Sequence, residues 1–542
     1  MKNRKLLRAG YYLGLCILVL ISINFNPVRA ADITGDGVSD LIIGVPNEDT
    51  DGIVNAGAVV SLRGAKDYGL TGADQLIFQG DAEEITEADD AFGTVLSVGD
   101  YNGDGIHDVA VGVPNEDWSA LTNAGMVQVI YGKAGVGMDV TQVEFITQND
   151  FSATSYGYPA ENGDGFGSSL ASGDFNGDGY DDLAISAPTE DMRISTINYD
   201  SAGIVQVIYG SWEGLNFEMT QIFYQNFLAG GEVADSLDLF GDALTAGDFD
   251  GDGYDDLVIG VPGENLALPE IIADAGAVHI IYGGGSLLGV SGTEMIHQNP
   301  YASGDNLPEN GDSFGDVLAA GDFDCDGYDD LVVGLASESI GAQTYAGAVQ
   351  VFYGDDKGLD YLDNELITQG YIGESEEYDI FGYSLAVGDY NGNGCDDLAV
   401  GAPGEMLQTI ANVGEVDVFF GNEIEGLYWH AGQTINQGGA YGGALEADDY
   451  FGFALAAGNF NKDKYDDLAV GIPYEDVGSN SNAGAVQVFY GAFGELSHIG
   501  VQVWHQDSSG ILGMAEANDN FGWSLAAIPG IKFDTYLPLI LK

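Results

Sequence analysis

Basic residues are almost missing from this chain. Only 14 Lys and Arg stand against 86 Asp and Glu, for a formal net charge of −72. Five of the 14 (Lys2, Arg4, Lys5, Arg8 and Arg29) lie in the first 30 residues, which hold no acid, so the remainder is more one-sided still. A surface without Lys and Arg has nothing to set against phosphates, which excludes nucleic acid and anionic membrane as partners. Cysteine is scarce as well. Of three, Cys16 falls in an N-terminal apolar run, which leaves Cys325 and Cys395. A disulfide framework of the kind that staples small secreted domains is therefore excluded. The two cysteines sit in Asp-rich loops of different repeats and are expected as free thiols, since a bond would require those loops to touch. A nucleophile elbow, a phosphate loop and zinc-ligand spacing are all lacking. Extreme charge alone would suggest disorder. It does not here, because 45% of residues are hydrophobic and the acids recur at fixed positions.

Residues 1–30 carry the signs of a secretory leader. A basic start precedes the apolar run 10–25, and Val28-Arg29-Ala30 ends on a small residue suited to cleavage. The run is short for a bilayer span, and an Asp-rich loop begins at Asp32 with no spacer. Cys16 does not suit lipid attachment, because Leu15 precedes it and the apolar run continues beyond it. The mature chain is expected to be secreted or at the cell surface, with no membrane span.

What the chain has in abundance is one acidic pattern, as in Asp174-Phe175-Asn176-Gly177-Asp178-Gly179-Tyr180-Asp181-Asp182. Side-chain oxygens fall at the first, third, fifth and ninth places, a carbonyl at the seventh, and a Gly at the sixth allows the sharp turn. Several hard oxygen ligands around one Gly are what a Ca²⁺ loop needs. An EF-hand would place Glu twelfth with a helix after it. Here the twelfth residue is Ile185, inside an apolar run, so the ninth-place Asp must close the site and the loop must join two strands. The pattern starts again at Asp32, Asp100, Asp248, Asp322, Asp389 and Asn459, at steps of 67 to 74 residues. Such regular self-similarity means a repeat architecture.

Each repeat holds four short apolar segments. The first opens on Phe-Gly, at Phe92, Phe166, Phe240, Phe314, Phe381, Phe451 and Phe521. The second follows the Asp loop, as in Leu257-Val258-Ile259-Gly260-Val261-Pro262. The third resembles Ala277-Val278-His279-Ile280-Ile281-Tyr282. The fourth ends in Gln79, Gln148, Gln225, Gln298, Gln369, Gln437 or Gln506. Rich in Val, Ile and aromatics and bounded by Gly, Pro and Asp, these are strands. Several are apolar on both faces, so the sheets are covered on both sides. The fold class is all-β, a seven-bladed propeller of four-stranded blades spanning 31–527. The chain ends support closure. The first Asp loop has no Phe-Gly strand before it, and Phe521-Gly522-Trp523-Ser524-Leu525-Ala526 is a Phe-Gly strand with no loop after it. Joined, they make one blade and leave no open edge.

Phe-Gly, the Asp-rich loop and then Gly401-Ala402-Pro403 (Gly-Val-Pro elsewhere) together resemble the FG-GAP repeat, which includes the propeller of integrin α subunits and bacterial stand-alone propellers. The resemblance covers nearly all of 31–527. It implies Ca²⁺ in the loops between the first and second strands of a blade. It implies ligand binding by the 2–3 and 4–1 loops on the opposite face. The leg domains and membrane span of integrin α chains are not found in this sequence, so no integrin β subunit is expected as a partner.

The loops differ in their ligands. Four are complete: Asp100, Asn102, Asp104, Ile106 carbonyl and Asp108 in loop two; Asp174, Asn176, Asp178, Tyr180 carbonyl and Asp182 in loop three; Asp248, Asp250, Asp252, Tyr254 carbonyl and Asp256 in loop four; Asp322, Asp324, Asp326, Tyr328 carbonyl and Asp330 in loop five. Loop one (Asp32, Thr34, Asp36, Val38 carbonyl, Asp40) has a weaker third ligand and lies at the new N-terminus, and loop six (Asp389, Asn391, Asn393, Cys395 carbonyl, Asp397) has lost a carboxylate, so both are weaker sites. Loop seven, from Asn459, carries Lys462 and Lys464 and is expected to hold no Ca²⁺, with one lysine pairing Asp463 and Asp467 in place of the metal. The bland alternative for every loop is an acidic β-turn. Turn chemistry does not ask for four converging oxygens.

Three other features invite a role. The histidines fall in variable slots, such as His279 where other repeats have Gln128, Gln206, Gln350 and Gln487, so they share no catalytic function. His107 holds a loop position that is Asp elsewhere. Glu48, Glu116, Glu190, Glu264, Glu338, Glu405 and Glu475 follow the second strand in every repeat. They are expected to accept hydrogen bonds from turn amides; otherwise they form an acidic ring that recruits a cation or a basic partner. The variable loops 149–165, 226–239 and 299–313 carry Tyr156, Tyr158, Phe227 and Tyr301, where ligand contacts are expected. Residues 528–542 form a tail too short to cross a bilayer. The function read from all this is a secreted Ca²⁺-binding module for an extracellular protein or glycan ligand, with no catalytic residues. The alternatives are a polysaccharide-active hydrolase or lyase using carboxylates in the top cleft, and a structural cell-surface component.

Overall fold

The computed structural model describes residues 31–527 apart from 51, 83–85, 152–157, 195–196, 229–232, 268–270, 290–291, 299–306, 425 and 439–443. Residues 1–30, expected as a leader, and the tail 528–542 fall outside the described residues. Seven four-stranded antiparallel sheets follow one another as a seven-bladed β-propeller. In blade two the strands are Val95–Gly99, Asp108–Val113, Met126–Lys133 and Gly137–Ile146. First strands of successive blades touch each other and so line the axis. The second strands, such as Asp108–Val113 and Asp256–Val261, are buried along their whole length. Neighbouring blades cover both faces, which is why these segments carry no polar alternation. The core lies between blades: Val127 and Ile146 of blade two pack with Leu183 and Ile204 of blade three.

Each Phe of the Phe-Gly pairs is fully buried. Its amide reaches back to the preceding blade, as Phe92 N donates to Ala56 O at 3.1 Å. Facing it, Gly57 has φ of 83°, and a Cβ there would stand 2.3 Å from the Phe92 backbone. Only glycine fits that crossing.

The ring closes as expected. Leu525–Ala526 pairs antiparallel with Leu41–Val45, Ile42 opposite Ala526 and Ile43 opposite Leu525. Leu41 and Val60 of blade one pack against Ala469 and Val488 of blade seven.

Two further rings of hydrogen bonds tie the blades. On the face of the 2–3 and 4–1 loops, the Gln that ends one blade donates through Nε2 to the Glu of the next: Gln79 to Glu116 (2.5 Å), Gln148 to Glu190 (2.6 Å), Gln298 to Glu338 (2.8 Å) and Gln369 to Glu405 (3.0 Å). Gln225 to Glu264 and Gln437 to Glu475 repeat it, and Gln506 to Glu48 (2.5 Å) carries it across the chain ends. The Glu ring is thus tied into the fold, but through neighbouring side chains rather than the turn amides expected. On the other face the eighth place of each Asp loop does the same work. Asp255 Oδ2 accepts from Asp174 N (2.8 Å) while Asp255 N donates to Asp174 O (3.2 Å). His107 holds this place in blade two, where its Nδ1 accepts from Asp32 N at 3.3 Å. Its role is a clasp between blades.

Two small hairpins were not foreseen: Met192–Ile194 with Ile197–Tyr199, and Leu266–Ala267 with Ile271–Ile272. They decorate the 2–3 connections of blades three and four.

Candidate functional site

The Asp loops are built by their own backbone. The first-place carboxylate accepts the amides of the fifth and sixth residues: Asp174 takes Asp178 N at 3.1 Å and Gly179 N at 2.9 Å. Asp32, Asp100, Asp248, Asp322 and Asp389 do likewise. Seventh-place amides donate to the fifth-place side chain, for instance Tyr180 to Asp178 at 3.2 Å and Cys395 to Asn393 at 2.8 Å. The ninth-place Asp is fully buried in all seven loops. Asp182 accepts from Phe175 N (3.0 Å) and from Gly210 N, just past the third strand (2.8 Å).

These bonds converge the candidate ligands unequally. One oxygen each of Asp248, Asp250 and Asp256 lies within 4.8 Å of the others, and the same holds for Asp322, Asp324 and Asp330. In loops two and three, Asn102 and Asn176 turn their amide nitrogen toward Asp108 and Asp182, at 3.3 and 3.4 Å. In loop six Asn391 Nδ2 donates to Asp397 at 2.6 Å, and in loop one Thr34 donates to Asp32 at 3.2 Å. Burial, reinforced by the neighbouring carboxylates, pushes Asp182 and Asp330 up to about 9 and Asp40 and Asp256 up to about 8. A buried carboxyl among like charges calls for a proton or a cation. The all-oxygen donor set fits Ca²⁺.

Two expectations about these loops are corrected. Cys325 and Cys395 are not free thiols but a disulfide, with Cα atoms 4.9 Å apart. Loops five and six touch because Asp322 N donates to Asp396 Oδ2 (3.0 Å) and Asp396 N to Asp322 O (2.9 Å). Nor do the loop-seven lysines pair with Asp463 and Asp467. Lys462 Nζ reaches out of its loop to Asp36 O of loop one at 3.2 Å, and Lys464 Nζ lies 4.3 Å over the Tyr465 ring.

Loop seven is also wound differently. The sixth-place glycines of the other loops have φ of 78° to 99°, whereas Lys464 stays out of that region. Asn459 Nδ2 donates to Asp463 O at 2.9 Å, and its Oδ1 is buried without a partner. We expect the triple change Asn459→Asp, Lys462→Gly and Lys464→Gly to add one Ca²⁺ to the stoichiometry measured by calorimetry. An unchanged stoichiometry, or Ca²⁺ in the native loop in a crystal soaked at millimolar calcium, would defeat that account.

On the opposite face, the residue after each Phe-Gly stands at the start of an axial strand, at the mouth of the channel. In ring order from blade two these are Thr94, Ser168, Asp242, Asp316, Tyr383, Phe453 and Trp523. Three successive aromatics pack on one another in a tilted row: Tyr383 to Phe453 is 5.1 Å and Phe453 to Trp523 is 4.9 Å between ring centroids, at interplanar angles of 51° and 49°, with Tyr474 edge-on 5.9 Å from Phe453. In the same rim, burial together with repulsion from the neighbouring Asp316 carboxyl holds Asp242 well above the usual carboxylate range. The sequence reading passed over this rim. Reading down the column after Phe-Gly would have found it.

Of the aromatics expected on the variable loops, Tyr158 packs on Tyr224 (5.7 Å), which also touches the exposed Phe227 (5.5 Å). Tyr156 and Tyr301 lie outside the described residues. His279 is a core residue held neutral, its pKa lowered to about 4 by burial. No helix among the described residues is long and apolar enough to cross a membrane.

The FG-GAP repeat pattern matches residues 28–62, 92–130, 166–208, 240–281, 314–352, 381–419 and 451–489. The chain belongs to the FG-GAP repeat family. Among its relatives are phosphatidylinositol-glycan-specific phospholipase D of Bos taurus, 29% identical over 218 residues, and integrin alpha-5 of Xenopus laevis, 29% identical over 244 residues. The matches cover 40% and 44% of this chain but only 24% and 20% of those proteins, so it spans about a quarter or less of their length. The solved exotype rhamnogalacturonan lyase YesX covers 87% of this chain and 72% of its own, at 14% identity and a TM-score of 0.40, too low to bear on function.

Proposed function

We propose that this FG-GAP propeller is a secreted, Ca²⁺-loaded binding module whose ligand, a glycan, docks on the channel mouth and the surrounding 2–3 and 4–1 loops. Loops one to six hold the ions and stiffen one face. The other face presents the ligand site. The observation that carries this reading is the rim, where the half-exposed aromatics Tyr383, Phe453 and Trp523 cluster in the same ring as the carboxyls of Asp242 and Asp316. Flat apolar faces next to fixed polar groups suit sugar rings, which have apolar and hydroxyl surfaces of their own. The leader and the Cys325–Cys395 disulfide support an oxidising, extracellular setting.

A hydrolase or lyase would use the Asp242–Asp316 pair, which stands in the same rim as the aromatics. A glycan array probed in Ca²⁺ tests the proposal. Phe453→Ala and Trp523→Ala should each weaken binding about tenfold or more, as buried aromatic anchors do, with the melting temperature nearly unchanged. Full binding by both variants, or selective binding to protein ligands alone, would overturn it. Release of oligosaccharide products from the bound glycan would favour the enzymatic reading.

A further inference from the structure

Outside the rim, the same face carries a second aromatic feature. Tyr345 lies in the 2–3 loop of blade five, and Tyr378 in the 4–1 connection that leads from there to Phe381. Their rings stack with centroids 5.8 Å apart and planes 19° from parallel. Nearly parallel rings at that separation are offset, so each leaves part of a face uncovered. Tyr345 is 48% exposed and Tyr378 57%, so neither ring belongs to the core.

Both stand where a large side chain is strained. Tyr345 has φ of 54° and Tyr378 of 73°, in the left-handed region. Every other blade has Asn, Asp or Ser at the first position, and Asp, Asn or Gly at the second, apart from Leu237. In three blades these side chains bond each other: Asn55 Nδ2 donates to Asp89 Oδ1 (2.7 Å), Asn412 Nδ2 to Asp448 Oδ1 (2.7 Å) and Asn482 Nδ2 to Asn518 Oδ1 (2.9 Å). Blade five has strained tyrosines instead. The two loops do not need them in order to meet. Tyr378 N donates to Thr344 O and Ile380 N to Tyr345 O, each at 3.0 Å, and the same backbone bonds join Asp89 to Val54 and Ala91 to Asn55 in blade one. Strain that the fold does not require points to a binding role.

The surroundings narrow the ligand. Glu374 and Glu377 are exposed in the same connection as Tyr378. Thr344 Oγ1 donates to Glu377 Oε1 at 2.8 Å, which fixes a carboxylate between the residues that directly precede the two tyrosines. Among the described residues, Arg193 is the only Lys or Arg in a 2–3 or 4–1 connection. The rest lie in third strands, 3–4 hairpins and Asp loop seven, toward the opposite face. A uronate or sulfate group would meet carboxylates here with almost no cation to offset them. Sugar hydroxyls, in contrast, can donate to those carboxylates.

We propose that Tyr345 and Tyr378 form a second sugar-stacking site for a glycan without carboxylate or sulfate groups, an assignment that rests on the glycan reading of the channel mouth. One sugar lies on the uncovered ring faces, and its hydroxyls donate to Glu377. Tyr378 is five residues before Tyr383 of the rim, at most about 17 Å along the chain, so one oligosaccharide reaches both.

Titrations of the full chain in Ca²⁺ test this. The probes are short and long uncharged gluco-, manno- and galacto-oligosaccharides, with oligogalacturonate and heparin as the acidic arm. The native protein should bind an uncharged series, more tightly as its chain lengthens, and leave the acidic arm unbound. The double variant Tyr345→Asn, Tyr378→Asp restores the residues of blades one and six. It should bind long oligosaccharides about tenfold more weakly, as loss of an aromatic anchor does, and short ones, which the rim can hold, with a smaller change. Its melting temperature should equal or exceed the native value, because the strain goes and an Asn–Asp bond returns. Phe453→Ala should weaken short and long ligands alike. Full binding by that variant with loss in the tyrosine variant would remove the rim and keep this site. Native affinity for long oligosaccharides in the tyrosine variant, a lower melting temperature for it, or preference of the native chain for the acidic arm overturns the proposal. No binding of any uncharged series by the native chain overturns it together with the rim.

Discussion

In EGTA the protein is expected to melt on the order of 10 °C or more below its temperature in millimolar Ca²⁺. A site filled at 100 times its dissociation constant adds about 2.7 kcal/mol, and several loops act together. Without the ion, each loop keeps a ninth-place Asp buried among like charges. Asp182 and Asp256 rise from 3.8 to about 9 and about 8, mainly through burial. A carboxyl whose folded value lies above its unfolded one contributes stability below about pH 4 and loses it as pH climbs to the folded value. The Ca²⁺-free protein should therefore gain stability on moving from pH 9 to pH 5.5. The Ca²⁺-loaded protein should follow the opposite trend over the same range, because the ion displaces the protons. Calorimetric melts at both pH values, with and without Ca²⁺, check both signs. Coincident curves in EGTA and Ca²⁺ would remove the metal from the account of this fold.

The repeat order, the strands and the closing strand were legible because they rest on local patterns: Phe-Gly, the Asp loop, a short apolar run and a Gln, in register seven times. What escaped lies between repeats. The seven Gln and the seven Glu were each visible as columns. Their pairing joins Gln79 to Glu116 and Gln506 to Glu48, contacts set by the stacking of blades and not by any spacing within one. Cys325 and Cys395 meet for the same reason, since the eighth-place clasp brings their loops together. Lys462 looked like a substitute for a metal because only its own loop was considered, whereas the side chain is long enough to reach Asp36 across the ring junction. The rim was missed for another cause. Thr94, Ser168, Asp242, Asp316, Tyr383, Phe453 and Trp523 differ from blade to blade, and a search for what repeats passes over what varies. Tyr345 and Tyr378 were passed over in the same way.

Removing 521–542 is expected to abolish a monomeric, cooperatively melting protein. The cut takes the inner strand from blade one and leaves Leu41–Val45, buried along its length, as an open edge. It removes the bonds Gly44 N to Ser524 O (2.9 Å) and Gly522 N to Gly44 O (3.2 Å). It also removes Ser524 Oγ to Gly93 O (2.7 Å), which ties the closing strand to blade two, and Phe521 N to Ala483 O (3.0 Å), which ties it to blade seven. The fully buried Phe521 ring goes with them. An apolar strand with unpaired amides and carbonyls is a template for a second chain, so the truncated protein should aggregate or run as a polydisperse oligomer in gel filtration. The bonds that remain between blades one and seven, among them Gln506 to Glu48, Ser39 N to Asn459 O and Leu70 N to the Tyr490 hydroxyl, lie in the loops and outer strands and leave the inner edge of Leu41–Val45 unpaired. A shorter cut of 531–542 leaves every bond named here and should melt close to the full chain. The pair of truncations separates loss of closure from loss of length. A soluble 1–520 protein with a single sharp transition would mean that the ring does not depend on its C-terminal strand.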